Sequence, residues 1–155
     1  MSKARLYWFT SLVNLALLIV AACGGGGGGG AGGGAVDVSG LVGLWNGTAT
    51  ITLNGQTSSS ANAYTHITAQ GTELTIGDFC FDGTGPAATA TKSTEFTVHA
   101  ISCPPASVGN CNSVILGVAS GSGSLSGATL TMNTTGTIAG CGVSTAYTFS
   151  FSGHK

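Results

Sequence analysis

Charge is nearly absent from this chain. Only 6% of its 155 residues are Asp, Glu, Lys or Arg, and the formal net charge is −1. No arginine follows Arg5, and the only lysines after Lys3 are Lys92 and Lys155. Such a chain has no basic patch to hold a phosphate backbone, which excludes nucleic acid as a partner. Catalytic signatures are missing as well. "GSLSG", Gly123 to Gly127, puts Leu125 where the nucleophile of a Gly-x-Ser-x-Gly elbow would stand. "GSGSLSG" misses the dinucleotide-binding glycine spacing by one residue and lies among strand-like runs, as a turn would. No Cys-x-x-Cys spacing occurs, so no zinc site is expected, and Asp78 with Asp82 lacks the rest of a calcium loop. Three imidazoles remain. His66 and His99 sit in strand-like runs and read as cross-strand surface residues, and His154 lies in the tail. No catalytic residue, metal or cofactor is expected. No amphipathic helix is present either.

What the chain does have is strongly segregated. Lys3 and Arg5 precede an apolar run from Leu12 to Val20, followed by Ala21, Ala22 and Cys23. A charged start, a short apolar stretch and a small-residue exit describe a secretory signal peptide over residues 1–22, helical in its apolar part. At about 17 residues, and holding Thr10 and Asn14, the stretch from Leu6 to Ala22 is at the low end of what spans a bilayer. Val20-Ala21-Ala22-Cys23 resembles the lipobox of bacterial lipoproteins. That resemblance implies cleavage before Cys23, acylation of its thiol and amine, and anchoring to a membrane through lipid alone. It also implies a diderm envelope, with Gly24 after the cysteine favouring the outer membrane. Gly24 to Ala35 contain only Gly and Ala. Such a segment cannot bury side chains, so residues 23–40 are expected to form a disordered tether reaching about 20 Å.

Residues 41–155 make one domain's length. "GTATITLNG" and "VSTAYTFSFSG" alternate apolar residues with Thr and Ser, the mark of half-buried strands with one wet, hydroxyl-rich face. Asn54-Gly55 is a two-residue hairpin signal. Similar punctuation predicts seven or eight strands, at roughly 43–53, 56–69, 72–81, 93–103, 112–119, 122–126, 128–138 and 143–152. The fold class is therefore all-β: an antiparallel up-and-down meander forming a small barrel or, alternatively, a β-sandwich. In 72–81 the apolar register conflicts, because Leu74 and Ile76 share one face and Phe79 and Phe81 the other. A bulge or bend at Gly77-Asp78 resolves this, turning Asp78, Cys80 and Asp82 to one side.

Setting Cys23 aside leaves Cys80, Cys103, Cys111 and Cys141, an even number that in an exported domain implies two disulfides and three possible pairings. Cys103 and Cys111 bracket the short loop "CPPASVGNC", so a Cys103–Cys111 staple is expected, leaving Cys80–Cys141. The second bridge fits an eight-strand count, which puts both residues at one end of the meander.

"GLW", Gly43 to Trp45, opens the first strand and resembles the Gly-x-Trp signature of lipocalins and related calycin barrels. The resemblance implies an up-and-down barrel with Trp45 plugging one end and a small apolar molecule inside. Tyr64, Phe96, Tyr147 and Phe149 would then face the ligand. In that family an arginine on a late strand covers the tryptophan, and none is available here. Two non-catalytic roles follow. One is a structural or interaction lipoprotein with a filled interior, working on another envelope component through its Thr/Ser face. The other is a carrier of a small apolar ligand. Small alternating residues, suited to filling a narrow barrel, favour the first.

Overall fold

The structure is a computed structural model that describes residues 36–155. The signal peptide, Cys23 and the glycine run up to Ala35 lie outside the described residues. Ten strands follow one another: β1 (Gly43–Leu53), β2 (Gln56–Gln70), β3 (Glu73–Ile76), β4 (Ala87–Lys92), β5 (Glu95–Val98), β6 (Ile101–Ser102), β7 (Ala106–Val108), β8 (Cys111–Ser126), β9 (Thr129–Gly140) and β10 (Val143–His154). All pair antiparallel, mostly with their neighbours in sequence. Pairing of β1 with β10 and of β5 with β8 closes β1–β2–β3–β4–β5–β8–β9–β10 into a ring of eight. The two remaining strands, β6 and β7, lie alongside the first half of β8.

Two-residue turns connect the long strands, as short links between antiparallel neighbours require. Leu53 pairs with Gln56 around Asn54 (φ 50°) and Gly55 (φ 75°), and Gly140 pairs with Val143 around Cys141 (φ 50°) and Gly142 (φ 78°). Positive φ at both central positions matches the right-handed twist of the strands they join, which is why Asn-Gly works there. Cys141 adopts the same geometry without being Asn or Gly, so the turn carries some backbone strain.

Alternation along each strand then decides inside from outside. On β1, Trp45, Ala49, Ile51 and Leu53 take one face and Thr48, Thr50 and Thr52 the other. The buried core joins Trp45, Ile67, Leu74, Phe96, Leu130, Met132 and Phe151 at one end of the ring. A second cluster of Cys80, Cys103, Leu116 and Tyr147 fills the other. Inward glycines make room for the rings. The Phe96 ring lies over Gly123, and Gly136 sits against the Gly117 carbonyl.

Four boundaries differ from the sequence reading. Packing begins before residue 41: Val36 and Val38 lie against the core and Leu41 is fully buried, so residues 36–40 belong to the folded unit. The expected 112–119 and 122–126 are one strand, β8, with a register shift between Val118 and Ser120. The expected 93–103 breaks into β5 and β6 at His99-Ala100, and β4 was not foreseen. The expected 72–81 stops at Ile76. Beyond it the chain leaves the sheet at Gly77 and Asp78 (φ 61°), where a bend was expected, but Asp78, Cys80 and Asp82 do not share an environment. Cys80 is buried and Asp82 exposed. Phe79 turns inward, edge-on to Phe149 at 5.2 Å, and leaves Phe81 in solvent.

Candidate functional site

The inside of the ring is occupied by its own side chains. Phe96 and Tyr147 are 2% and 3% exposed, packed in the two clusters. Phe149 is half-buried against both, and Tyr64 is half-buried on β2, opposite Asn46 of β1. The four aromatic residues expected to face a ligand do not line a common hollow: Phe96 borders one cleft, Phe149 another, and neither tyrosine borders either. Trp45 is 2% exposed, and its indole N–H donates to the Leu41 carbonyl at 2.9 Å. The Lys155 ammonium stands 4.9 Å from the ring centroid and donates to the Gly40 carbonyl at 2.8 Å. A lysine thus covers one face of the tryptophan.

Inside the ring two hydroxyls, those of Thr134 and Tyr147, are buried without a hydrogen-bond partner. Burial pushes the Tyr147 phenol above its ordinary pKa; the Thr134 hydroxyl, close to it but outside hydrogen-bonding geometry, opposes this as the lesser influence.

Polarity has been moved to the outside. Registers between β5, β8, β9, β10 and β1 set outward residues side by side: Thr97 opposite Ser122, Ser122 opposite Asn133, Asn133 opposite Ser150, and Ser150 opposite Thr50. One level along, Ser124, Thr131, Ser152 and Thr48 adjoin in the same way, and on the other side Ser120, Thr135, Thr148 and Thr52. The flanking levels bond within themselves, with Ser124–Thr131 at 2.9 Å and Ser120–Thr135 at 3.3 Å. On β1 and β2, Thr50–Ser59 (2.9 Å) and Thr52–Thr57 (3.0 Å) do likewise. The side chains of Thr97, Ser122, Asn133 and Ser150, and on the flanking levels those of Thr48, Ser152 and Thr148, make no hydrogen bond to any other described residue.

Two open clefts lie on this face. One, about 260 Å³, is bordered by Thr91, Glu95, Thr97, Ser122, Ser124, Thr131 and Asn133, with the paired backbones of Phe96 and Gly123 as its floor. The other, about 290 Å³, is bordered by Thr50, Thr52, Asn133, Thr135, Thr148 and Ser150 over the paired Thr134 and Phe149. Asn133 belongs to both. The one carboxylate at a rim, Glu95, is engaged by Lys92 at 2.9 Å.

Of the histidines, His99 comes nearest to catalytic company. Its Nε2 lies 3.0 Å from the Thr89 hydroxyl, which also contacts both Glu73 carboxylate oxygens at 3.2 and 3.3 Å. The carboxylate therefore meets the hydroxyl and not the imidazole, the reverse of a triad's order. His154 bonds Thr129 and the Ala128 carbonyl, and the backbone carbonyl of His66 accepts from Gly77. Among the described residues no cluster of His, Cys, Asp and Glu could hold a metal ion. The exposed Asp82 carboxyl is held below the usual range by the Thr84 hydroxyl at 2.6 Å and N–H at 3.1 Å; Asp37 is lowered by the Ser39 N–H at 3.0 Å.

The disulfide pairing corrects the one expected from spacing. The bonds are Cys80–Cys103 and Cys111–Cys141, each with Cα atoms 5.6 Å apart. Neither Cys103–Cys111 nor Cys80–Cys141 forms. Because β3 ends at Ile76, Cys80 falls in the following loop, which folds over to β6 and Cys103. Cys111 begins β8, and the β8–β9 register, with Val114 opposite Gly140, carries it to the β9–β10 turn. Reading 112–126 as one strand paired with 128–138 would have brought Cys111 near Cys141.

The chain matches no family model. No curated protein matches it. Among solved structures it is similar to one described as a "putative outer membrane protein" of Bacteroides fragilis, at 17% identity and a TM-score of 0.47 over 75% of this chain. This chain spans about half, 51%, of that chain's length.

Proposed function

We propose that the chain is a lipid-anchored protein of the cell envelope whose β-domain works by contact through its outer hydroxyl face, neither enclosing a ligand nor catalysing a reaction. Anchoring rests on the lipobox-like Val20-Ala21-Ala22-Cys23. Two disulfides suit a domain that folds in an oxidising compartment. The observation that carries the role is the division of the sheet: aromatic and aliphatic residues fill its inner face, while uncharged hydroxyls stand in register across its outer one. An interior packed with its own side chains supports a contact role over carriage of a small apolar molecule.

The test has two arms. Native mass spectrometry of the processed protein extracted from membranes should give the mass of the acylated chain from Cys23 onward with nothing further bound. A co-purifying apolar molecule overturns the contact role in favour of carriage. In fractionated cells Cys23→Ser should move the protein from the membrane to the soluble fraction, and retention in the membrane overturns the anchor.

A further inference from the structure

Resting on that contact role, the geometry points to a neutral glycan as the partner, laid across the strip Thr97–Ser122–Asn133–Ser150. The strip is where the two clefts meet, and its side chains, like those of Thr48, Thr148 and Ser152 on the adjoining levels, make no hydrogen bond to any other described residue. Donors and acceptors on these residues are thus not taken up by any other described residue. A hydroxyl both donates and accepts, and Asn133 adds an amide that does each at a separate atom. Sugar hydroxyls have the same dual character, so every residue of the strip can meet one in either sense.

Position supports the assignment. The strip crosses β5, β8, β9 and β10 at one level, a span of about 14 Å at the usual strand separation. The two clefts lie along it and meet at Asn133, giving a linear chain a shallow bed on either side of a central amide. Charge excludes the alternatives. No ionic side chain stands on the strip, and Glu95 at the rim is already paired with Lys92. A polyanionic glycan, a nucleic acid or an anionic lipid surface finds no cation there. No aromatic side chain stands on the strip for sugar rings to stack on, so a single chain is held weakly and several anchored copies along one polymer supply the avidity.

The experiment is an NMR titration of the isotope-labelled full-length protein, held in a polyoxyethylene detergent that offers no sugar of its own. Chitohexaose, cellohexaose and maltohexaose are the neutral probes, and a hexamer of uronic acids is the charged comparison. At least one neutral probe should shift the amides of Thr97, Ser122, Asn133 and Ser150 together, and the uronate should not. The double variant Ser122→Ala/Asn133→Ala should weaken binding fivefold or more, with amide dispersion elsewhere intact, while Thr68→Ala on β2, off the strip, changes nothing. Shifts from no neutral probe, equal shifts from the uronate, or unchanged affinity in the double variant overturn the glycan. Shifts confined to core residues such as Tyr147 overturn it and the contact role together, whereas a clean native mass spectrum with no glycan shifts removes the glycan alone.

Discussion

Thr134 and Tyr147 show what a single polar atom costs inside this ring. Each buries a hydroxyl with no partner, and an unsatisfied buried group costs about 1–3 kcal/mol. Both sites accept apolar replacements of nearly the same shape. Thr134→Val with Tyr147→Phe is therefore expected to raise stability by about 1–2 kcal/mol in chemical denaturation. The phenol also sets an alkaline limit. Its folded pKa is raised by burial, so the neutral form suits the fold. Stability is full while the unfolded chain also keeps its proton, below about pH 10. Above that the unfolded chain binds fewer protons than the folded one, and stability falls as pH rises. Tyr147→Phe should flatten that limb relative to wild type, measured as unfolding midpoint against pH. Legibility at this scale was uneven: alternation placed Tyr147, Phe149 and Phe151 inward, but no pattern of residues tells whether a buried hydroxyl finds a partner.

Strands and turns respond to different tests. The loop after β3 is held to the end of β6 by Cys80–Cys103, and the start of β8 to the β9–β10 turn by Cys111–Cys141, across 23 and 30 residues. Loop-closure entropy assigns each bond about 3–4 kcal/mol, so Cys80→Ser/Cys103→Ser and Cys111→Ser/Cys141→Ser should destabilise by similar amounts in urea. They should differ in what comes loose. The first pair alone exposes Phe79 and the Phe149 ring beneath it, which limited proteolysis of residues 77–86 would report. Glycine packing gives a further test: a methyl at Gly123 runs into the Phe96 ring, so Gly123→Ala should cost about 1–3 kcal/mol in thermal unfolding. Long strands with strong contrast, β1 and β10, were readable nearly to their ends. β4 was not. Its "AATATK" buries Ala88 and Ala90, residues too small to stand out against threonine. The bridges were misread for a related reason: spacing along the chain suggested the short link, whereas β6 and β7 folding back on β8 set the actual distances.

Across the described residues the antiparallel up-and-down order was legible, because turn residues and period-two alternation both act locally and add up in order, whereas the choice between barrel and sandwich rested on the distant pairings of β1 with β10 and β5 with β8. The candidate face was half legible. Its hydroxyl composition was visible in sequence, but the row joining Thr97, Ser122, Asn133 and Ser150 depends on registers between four strands, including the shift at Val118/Ser120. At the Trp45 end, β1 begins where β10 stops: Asn46 is opposite His154, and the Lys155 ammonium bonds the Gly40 carbonyl. Gly40, a few residues into the folded unit, and Lys155 are thus in contact, so the two ends of the ring lie close to one another. A circular permutant that joins Lys155 to Val36 through a few glycines and opens the backbone at Asn54-Gly55 should form the same two disulfides and keep its cooperative melting.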